Sequence, residues 1–355
     1  MALTSIIRIA LLPALTFAAA AAERVATLEL GALGTMQHNG QPVAVEIQYP
    51  KDYSLDRRYP LIVWLSGGPG DHRIAQCPFS GIDDAVIAAV PFLSVIEKPS
   101  AEIRRDAEKN EGPVLPFING PFTPWTYYRA VLDAVRDRVP NIHPDKRILS
   151  GFSNGAIAIA YLFDQSGGAV HNAFDAYMLC GATMPARQTA ALKGKPLLLV
   201  IGSNDNKQWK TLMNRLNGDA LNAGAESSFW EMPDRGHELP DEFRSKMTDW
   251  MREKVFRRGL DDAVASLRDA LERNDSAQVR QWANAVLDMS RSGEPAFNSA
   301  RSALAKATAA ADQAYAQLLA RQPTTDERIA FCRTFPGSSA ASAVLMSLET
   351  ECVSH

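Results

Sequence analysis

Unbroken apolar runs and apolar residues at helical spacing alternate along most of this chain. Residues 60–65 (Pro-Leu-Ile-Val-Trp-Leu), 147–150 and 196–202 are short, nearly continuous hydrophobic stretches, the pattern of strands buried on both faces. Residues 24–30 and 43–49 alternate instead, and the Asn39-Gly40 turn signal between them predicts an antiparallel hairpin at a sheet edge. Further strands are predicted at 92–97, 174–180 and 227–232. Helical periodicity marks 124–139, 154–165, 207–223 and 241–256. Strands alternating with helices imply an α/β fold, a mostly parallel, twisted sheet with helices on both faces. Residues 71–123 fit this scheme least. The piece 97–112 is charged and polar, and Pro113, Pro116, Pro121 and Pro124 interrupt the segment 113–124. Two readings stand side by side there: a substrate-binding insertion over the top of the sheet, or a long surface connection.

From about Gly259 the strand-like runs stop. Segments 260–274, 276–291, 295–321 and 338–352 are alanine-rich with apolar residues at helical spacing, and Asp275 and Thr324 stand where helix caps belong. The expected organisation is therefore an α/β domain over 23–257 and an all-helical C-terminal module over 258–355. Nothing in the module looks catalytic; its role stays open, with contact with a protein partner as one use it would allow.

The first 22 residues read as a signal peptide. One positive charge precedes a short apolar core, and the Ala18–Ala22 run offers small-x-small cleavage sites before Glu23. The apolar stretch is shorter than the roughly 20 residues of a membrane span, so an exported protein, periplasmic or secreted, is expected. Export admits disulfides among the four cysteines. Cys332–Cys352 is the expected local bridge and Cys77–Cys180 a second, with free buried thiols the open alternative for the latter pair. With 46% hydrophobic residues, 22% charged residues and a net charge of −3, the chain has an ordinary globular composition and no basic footprint for nucleic acid. No spacing of the cysteines resembles a zinc site.

Within the α/β region the stretch Ser150-Gly151-Phe152-Ser153-Asn154-Gly155 stands out. It sets Gly-x-Ser-x-Gly at a strand-to-helix turn, the context of a nucleophile elbow. A chance match in a chain of this size has odds of roughly one in ten, so the remainder of the sequence decides. A serine hydroxyl becomes a useful nucleophile only when a base takes its proton and an acid orients the base, in the order Ser, acid, His for this arrangement. Of the six histidines, His38, His72 and His143 precede Ser153. His171 falls too early to follow the acid, and His355 is the last residue. His237 remains, just after the strand 227–232. Asp205, at the carboxyl end of the strand 196–202, is the preferred acid; helix capping ahead of Lys207 is its bland alternative. An oxyanion would need two N–H donors. Asn154, after the nucleophile, supplies one, and Gly68, in the glycine-rich turn after 60–65, supplies the other, with Gly67 as the alternative.

Together, Trp64-Leu65-Ser66-Gly67-Gly68-Pro69-Gly70, Gly151-Phe152-Ser153-Asn154-Gly155, Gly202 with Asp205, and Gly236-His237 resemble the α/β-hydrolase superfamily over about residues 24–256. The elbow and the short Asp-to-His interval resemble its secreted esterases, the polyhydroxybutyrate depolymerase, feruloyl esterase and dienelactone hydrolase-like proteins. That resemblance implies hydrolysis of a small-molecule or polymer-derived carboxylic ester through an acyl-serine intermediate, with no metal or organic cofactor. Two alternatives stay open. The Trp-Leu-Ser-Gly-Gly-Pro-Gly run also resembles serine carboxypeptidases and proline iminopeptidases, and an idle hydrolase fold could serve as a binding protein.

Overall fold

The computed structural model describes residues 24–30, 37–38, 41–42, 44–92, 122–321 and 323–353. By its contacts the chain divides between Phe256 and Arg257 into two compact units. The expected signal peptide and residues 93–121 of the 71–123 segment lie outside the described residues.

The first unit is built on strands β1 (Val25–Glu29), β2 (Ala44–Gln48), β3 (Tyr59–Leu65), β4 (Val86–Ala89), β5 (Ile142–Phe152), β6 (Ala176–Cys180), β7 (Pro196–Gly202) and β8 (Glu226–Met232). They form one sheet in the order β1-β2-β4-β3-β5-β6-β7-β8. The β1–β2 and β2–β4 pairs are antiparallel, and every pair from β4 to β8 is parallel. The residue pairs Gln37–His38 and Gln41–Pro42 form a separate small ladder. Helices α1 (Trp125–Arg138), α2 (Asn154–Gln165), α3 (Ala169–Ala173), α4 (Lys207–Asn222) and α5 (Asp241–Met251) complete the unit, α5 running into a π-helical turn at Arg252–Phe256. This is the α/β-hydrolase fold. The fourth strand, Val86–Ala89, is one the sequence pattern did not announce; of the expected strand 92–97, residues 93–97 lie outside the described residues. A four-residue strand half made of alanine gives little hydrophobic signal, yet all four of its residues are buried.

Period-two alternation explains the two apolar layers. Leu61, Val63, Leu149, Tyr177, Leu179, Leu197 and Leu199 face one side, against α1, α2 and α4. Ile62, Trp64, Ile148, Met178, Leu198 and Val200 face the other, against Phe243, Met247, Trp250 and Met251 of α5. Lys146, buried at the sheet, donates through Nζ to the Val255 and Phe256 carbonyls at 3.1 and 2.8 Å, satisfying groups a helix end leaves open. Parallel register aligns the carboxyl ends of the central strands: Leu65 lies beside Gly151, Phe152 beside Cys180, and Gly202 beside Met232. Those ends are where ligands bind in open α/β sheets.

The cysteines correct the expected disulfides. Cys77 and Cys180 are free and buried in the same apolar layer, where Cys180 Sγ lies 3.8 Å from Met247 Sδ. Burial pushes the Cys77 thiol up to about 12 and raises Cys180 as well, so both stay protonated and inert. Cys332 is also free, its Sγ donating to the Ala341 carbonyl at 3.6 Å. The bridge expected to Cys352, whose side chain lies outside the described residues, is therefore not formed.

The second unit comprises α6 (Leu260–Glu272), α7 (Ser276–Met289), α8 (Pro295–Leu319), α9 (Thr325–Thr334) and α10 (Ser339–Val353). Alanines 263, 270, 283, 300, 303 and 307 line its main core with Leu260, Leu267, Val279 and Val286, small side chains that let helices approach closely. Asp275 caps α7, accepting from the Ala277 and Gln278 N–H groups, and Thr324 with Glu327 forms a capping box on α9. The pattern of apolar residues misses α9 because only Phe331 is fully buried in it. Among the described residues no helix is long and apolar enough to cross a membrane.

Candidate active site

Ser153 sits at the junction of β5 and α2 with φ 55° and ψ −116°. A non-glycine residue there costs on the order of 1–3 kcal/mol and persists only when its surroundings enforce it. They do. The Ser153 N–H donates to the Cys180 carbonyl at 2.8 Å and its own carbonyl accepts from Ile157 N at 3.0 Å. Gly151 and Gly155 make the turn tight enough. A Cβ on Gly151 would lie 2.7 Å from the Gly155 oxygen, and one on Gly155 would lie 2.7 Å from the Leu65 carbonyl carbon at the end of β3.

The next group comes from the end of β7. There Asp205 is nearly buried, its side chain 3% exposed. Its Oδ1 accepts from Asn206 N at 2.7 Å, leaving Oδ2 for His237 Nδ1 at 2.9 Å. His237, one-third exposed, comes from the loop between β8 and α5 and reaches Ser153 Oγ through Nε2 at 2.8 Å. Ser153, His237 and Asp205 thus form one hydrogen-bonded row. Polarity along the row follows from donor capacity. A carboxylate only accepts, so Nδ1 carries the proton and Nε2 offers its lone pair to the serine hydroxyl.

Two loops are laced together to hold this row. Ser203 N donates to the Met232 carbonyl at 2.9 Å, and Asn204 N to the Arg235 carbonyl at 2.8 Å. Asp234 N donates to Ser203 Oγ at 2.8 Å. Gly202 makes the crossing possible: a Cβ there would lie 2.7 Å from the Arg235 carbonyl carbon and closer still to the Arg235 and Gly236 oxygens. Arg235 then ties the loop forward onto α5 by an ion pair with Glu242 at 2.7 Å. Sequence reasoning reached the three members of the row but none of this lacing, which joins backbone groups remote in the chain.

The expected oxyanion donors flank the serine. Gly68 (φ +59°) lies in the Gly67–Gly70 turn after β3, and the Asn154 side-chain amide donates to its carbonyl at 2.8 Å. A Cβ on Gly67 would lie 3.1 Å from Ser153 Cβ, so the turn passes directly beside the nucleophile. Asn154 opens α2, where an N–H has no intrahelical partner and the helix dipole favours negative charge. The Asn154 side chain, which pins that turn, is a role the motif alone does not reveal.

Histidines outside the row do other work. His171 is buried with Nδ1 3.0 Å from the Tyr177 hydroxyl, and His143 Nδ1 accepts from Asp145 N. Burial lowers both imidazoles to about 4. Among the described residues no cluster of three or more His, Cys, Asp or Glu side chains could hold a metal ion.

No protein-family model matches the chain, and no curated protein matches it in sequence. Similar folds occur among solved structures. A Bacillus cereus carboxylesterase is similar at 18% identity and a TM-score of 0.43, over 61% of this chain and 96% of its own. A Rhizomucor miehei esterase is similar at 15% identity and 0.45, over 67% and 88%. Thermogutta terrifontis esterase 2, in a form phosphorylated by paraoxon, is similar at 14% identity and 0.43, over 65% and 93%.

Proposed function

We propose that this chain is an exported serine hydrolase that cleaves a carboxylic ester through an acyl-serine intermediate. The observation that carries the proposal is the row Ser153 Oγ–His237 Nε2, 2.8 Å, and His237 Nδ1–Asp205 Oδ2, 2.9 Å, on a strained elbow at the carboxyl edge of the sheet. Ser153 Oγ attacks the ester carbonyl as its proton moves to His237 Nε2, and Asp205 stabilises the imidazolium that forms. The N–H groups of Asn154 and Gly68 receive the oxyanion. When the tetrahedral species collapses, the C–O bond to the alcohol breaks and Nε2 returns the proton to the departing oxygen. Water then repeats the sequence on the acyl-serine, releasing the acid and restoring the hydroxyl. Ester in place of amide is favoured by the resemblance of Gly151–Gly155, with the interval of 32 residues from Asp205 to His237, to secreted esterases. Export rests on the composition of residues 1–22.

The test is hydrolysis of short p-nitrophenyl acyl esters beside a panel of dipeptide amides, with Ser153→Ala as control. Ester turnover that falls on the order of 10⁶-fold in kcat in Ser153→Ala is the expected result. Turnover of peptides alone transfers the same machinery to amides. Full ester activity in Ser153→Ala overturns the proposal.

A further inference from the structure

Resting on the serine-hydrolase reading above, we propose that Trp209 is a positioning residue for His237, acting with Phe152 as an aromatic clamp that favours the imidazolium formed during turnover. The hydrogen bonds to Asp205 and Ser153 use both ring nitrogens of His237, and such bonds lie near the ring plane. The faces of the ring are left for other contacts, and aromatic rings take them. The Phe152 ring centroid is 4.7 Å from that of His237 with an interplanar angle of 31°. The Trp209 centroid is 4.9 Å away at 36°. Both rings present more face than edge to the imidazole.

The fold delivers these rings from the ends of two strands, β5 and β7. Phe152 immediately precedes the nucleophile at the end of β5. Gly181 (φ +76°), after β6, leaves room for the Phe152 and His237 rings to meet: a Cβ there would lie 2.8 Å from Phe152 Cε2 and 3.0 Å from His237 Cε1. Trp209 lies in the first turn of α4, four residues beyond Asp205. Asn206 caps that turn, its side-chain oxygen accepting from Gln208 N at 2.8 Å and Trp209 N at 3.4 Å. One short stretch after β7 therefore supplies His237 with both its carboxylate and an aromatic face. The indole is partly buried and also packs on the apolar layer under α1, α2 and α4, so its position is held by the core.

The chemistry follows from the charge that develops. A neutral imidazole gains little from the negative face of an aromatic ring. The imidazolium made when Ser153 gives up its proton is a cation beside two such rings. Attraction that exists only after proton transfer lowers the barrier without tightening substrate binding. The effect should therefore fall on kcat and leave KM alone.

Trp209→Leu tests this, because leucine keeps an apolar cover but has no π face, and Trp209→Phe puts the face back. Both are compared with wild type in hydrolysis of p-nitrophenyl acetate and in the rate of labelling by a fluorophosphonate probe, after circular dichroism establishes folding. The expected result is a fall of about 3- to 30-fold in kcat and in labelling rate for Trp209→Leu, with KM within about twofold. Trp209→Phe should recover most of that loss. Phe152→Leu, measured the same way, gives the comparison at the second ring should Trp209→Leu fold poorly. The clamp is overturned by leucine variants as fast as wild type, by Leu and Phe variants equally slow, or by a loss confined to KM. Wild-type protein labelled at Ser153 with unaffected leucine variants removes the clamp alone. Wild-type protein neither labelled nor active removes the serine-hydrolase reading and the clamp with it.

Discussion

Gly202→Ala changes one hydrogen to a methyl group at a residue outside the Ser153–His237–Asp205 row, yet it should disable the site. The new Cβ would lie 2.7 Å from the Arg235 carbonyl carbon, against an ordinary carbon–carbon separation of about 3.5–4.0 Å. Relief requires a shift of about 1 Å. Both obstructing groups are backbone, and they belong to the loop that carries His237. That loop is tied to residues 202–204 by the Asn204 N–Arg235 O and Asp234 N–Ser203 Oγ bonds, so it has little freedom to yield elsewhere. A misplacement of this size costs on the order of 10²-fold in rate, equivalent to about 2.7 kcal/mol of barrier. Overpacking should also remove about 1–3 kcal/mol of stability. The assay pairs initial rates on p-nitrophenyl acetate with urea unfolding, and Gly218→Ala is the control. Gly218 lies within α4 with open space where its Cβ would be. Alanine there should add about 0.5–1 kcal/mol and leave the rate unchanged. A Gly202→Ala protein with kcat within threefold of wild type would refute the described crossing of the two loops.

Three further outcomes are expected. Asp205→Asn should lower kcat by about 10³- to 10⁴-fold with KM nearly unchanged, because an amide donating to Nδ1 forces the tautomer that lacks a lone pair at Nε2; steady-state kinetics checks it, and a loss under tenfold contradicts the orienting role. His171 is neutral in the folded protein down to about pH 4 because of burial, whereas an unfolded histidine gains its proton near 6.5. Its folded value is depressed, so the stability it contributes is complete above pH 6.5 and is lost as pH falls toward 4. Between pH 7.5 and 4.5 wild type should lose about 2–3 kcal/mol more than His171→Leu in denaturant titrations, and parallel losses would contradict the burial. Cys77 and Cys180 should alkylate only after denaturation, read by peptide mass mapping; a disulfide-linked pair of peptides would overturn their description as free thiols.

Much of this architecture is legible in the sequence because its signals are local. Continuous apolar runs announce β3 and β7, and Gly-Phe-Ser-Asn-Gly at a strand-to-helix step announces the elbow. With six histidines, order alone isolates His237. What escapes is set by contacts between remote segments. Val86–Ala89 becomes a strand because β2 and β3 flank it, not because its composition demands one. Cys77 and Cys180 share an apolar layer where a thiol packs as a small hydrophobe, and cysteine counting cannot separate that from a bridge. Gly202, Ser203, Trp209 and the Asn154 side chain matter through neighbours remote in the chain, or across a loop, and no spacing rule marks them.

The most direct test of Ser153 as an activated nucleophile is covalent. Folded protein is treated with a fluorophosphonate, digested and mapped by mass spectrometry. A single adduct on Ser153 is expected, absent from Ser153→Ala and strongly slowed in His237→Gln. Folded protein that takes no label, or takes it equally well without Ser153, would contradict the central claim.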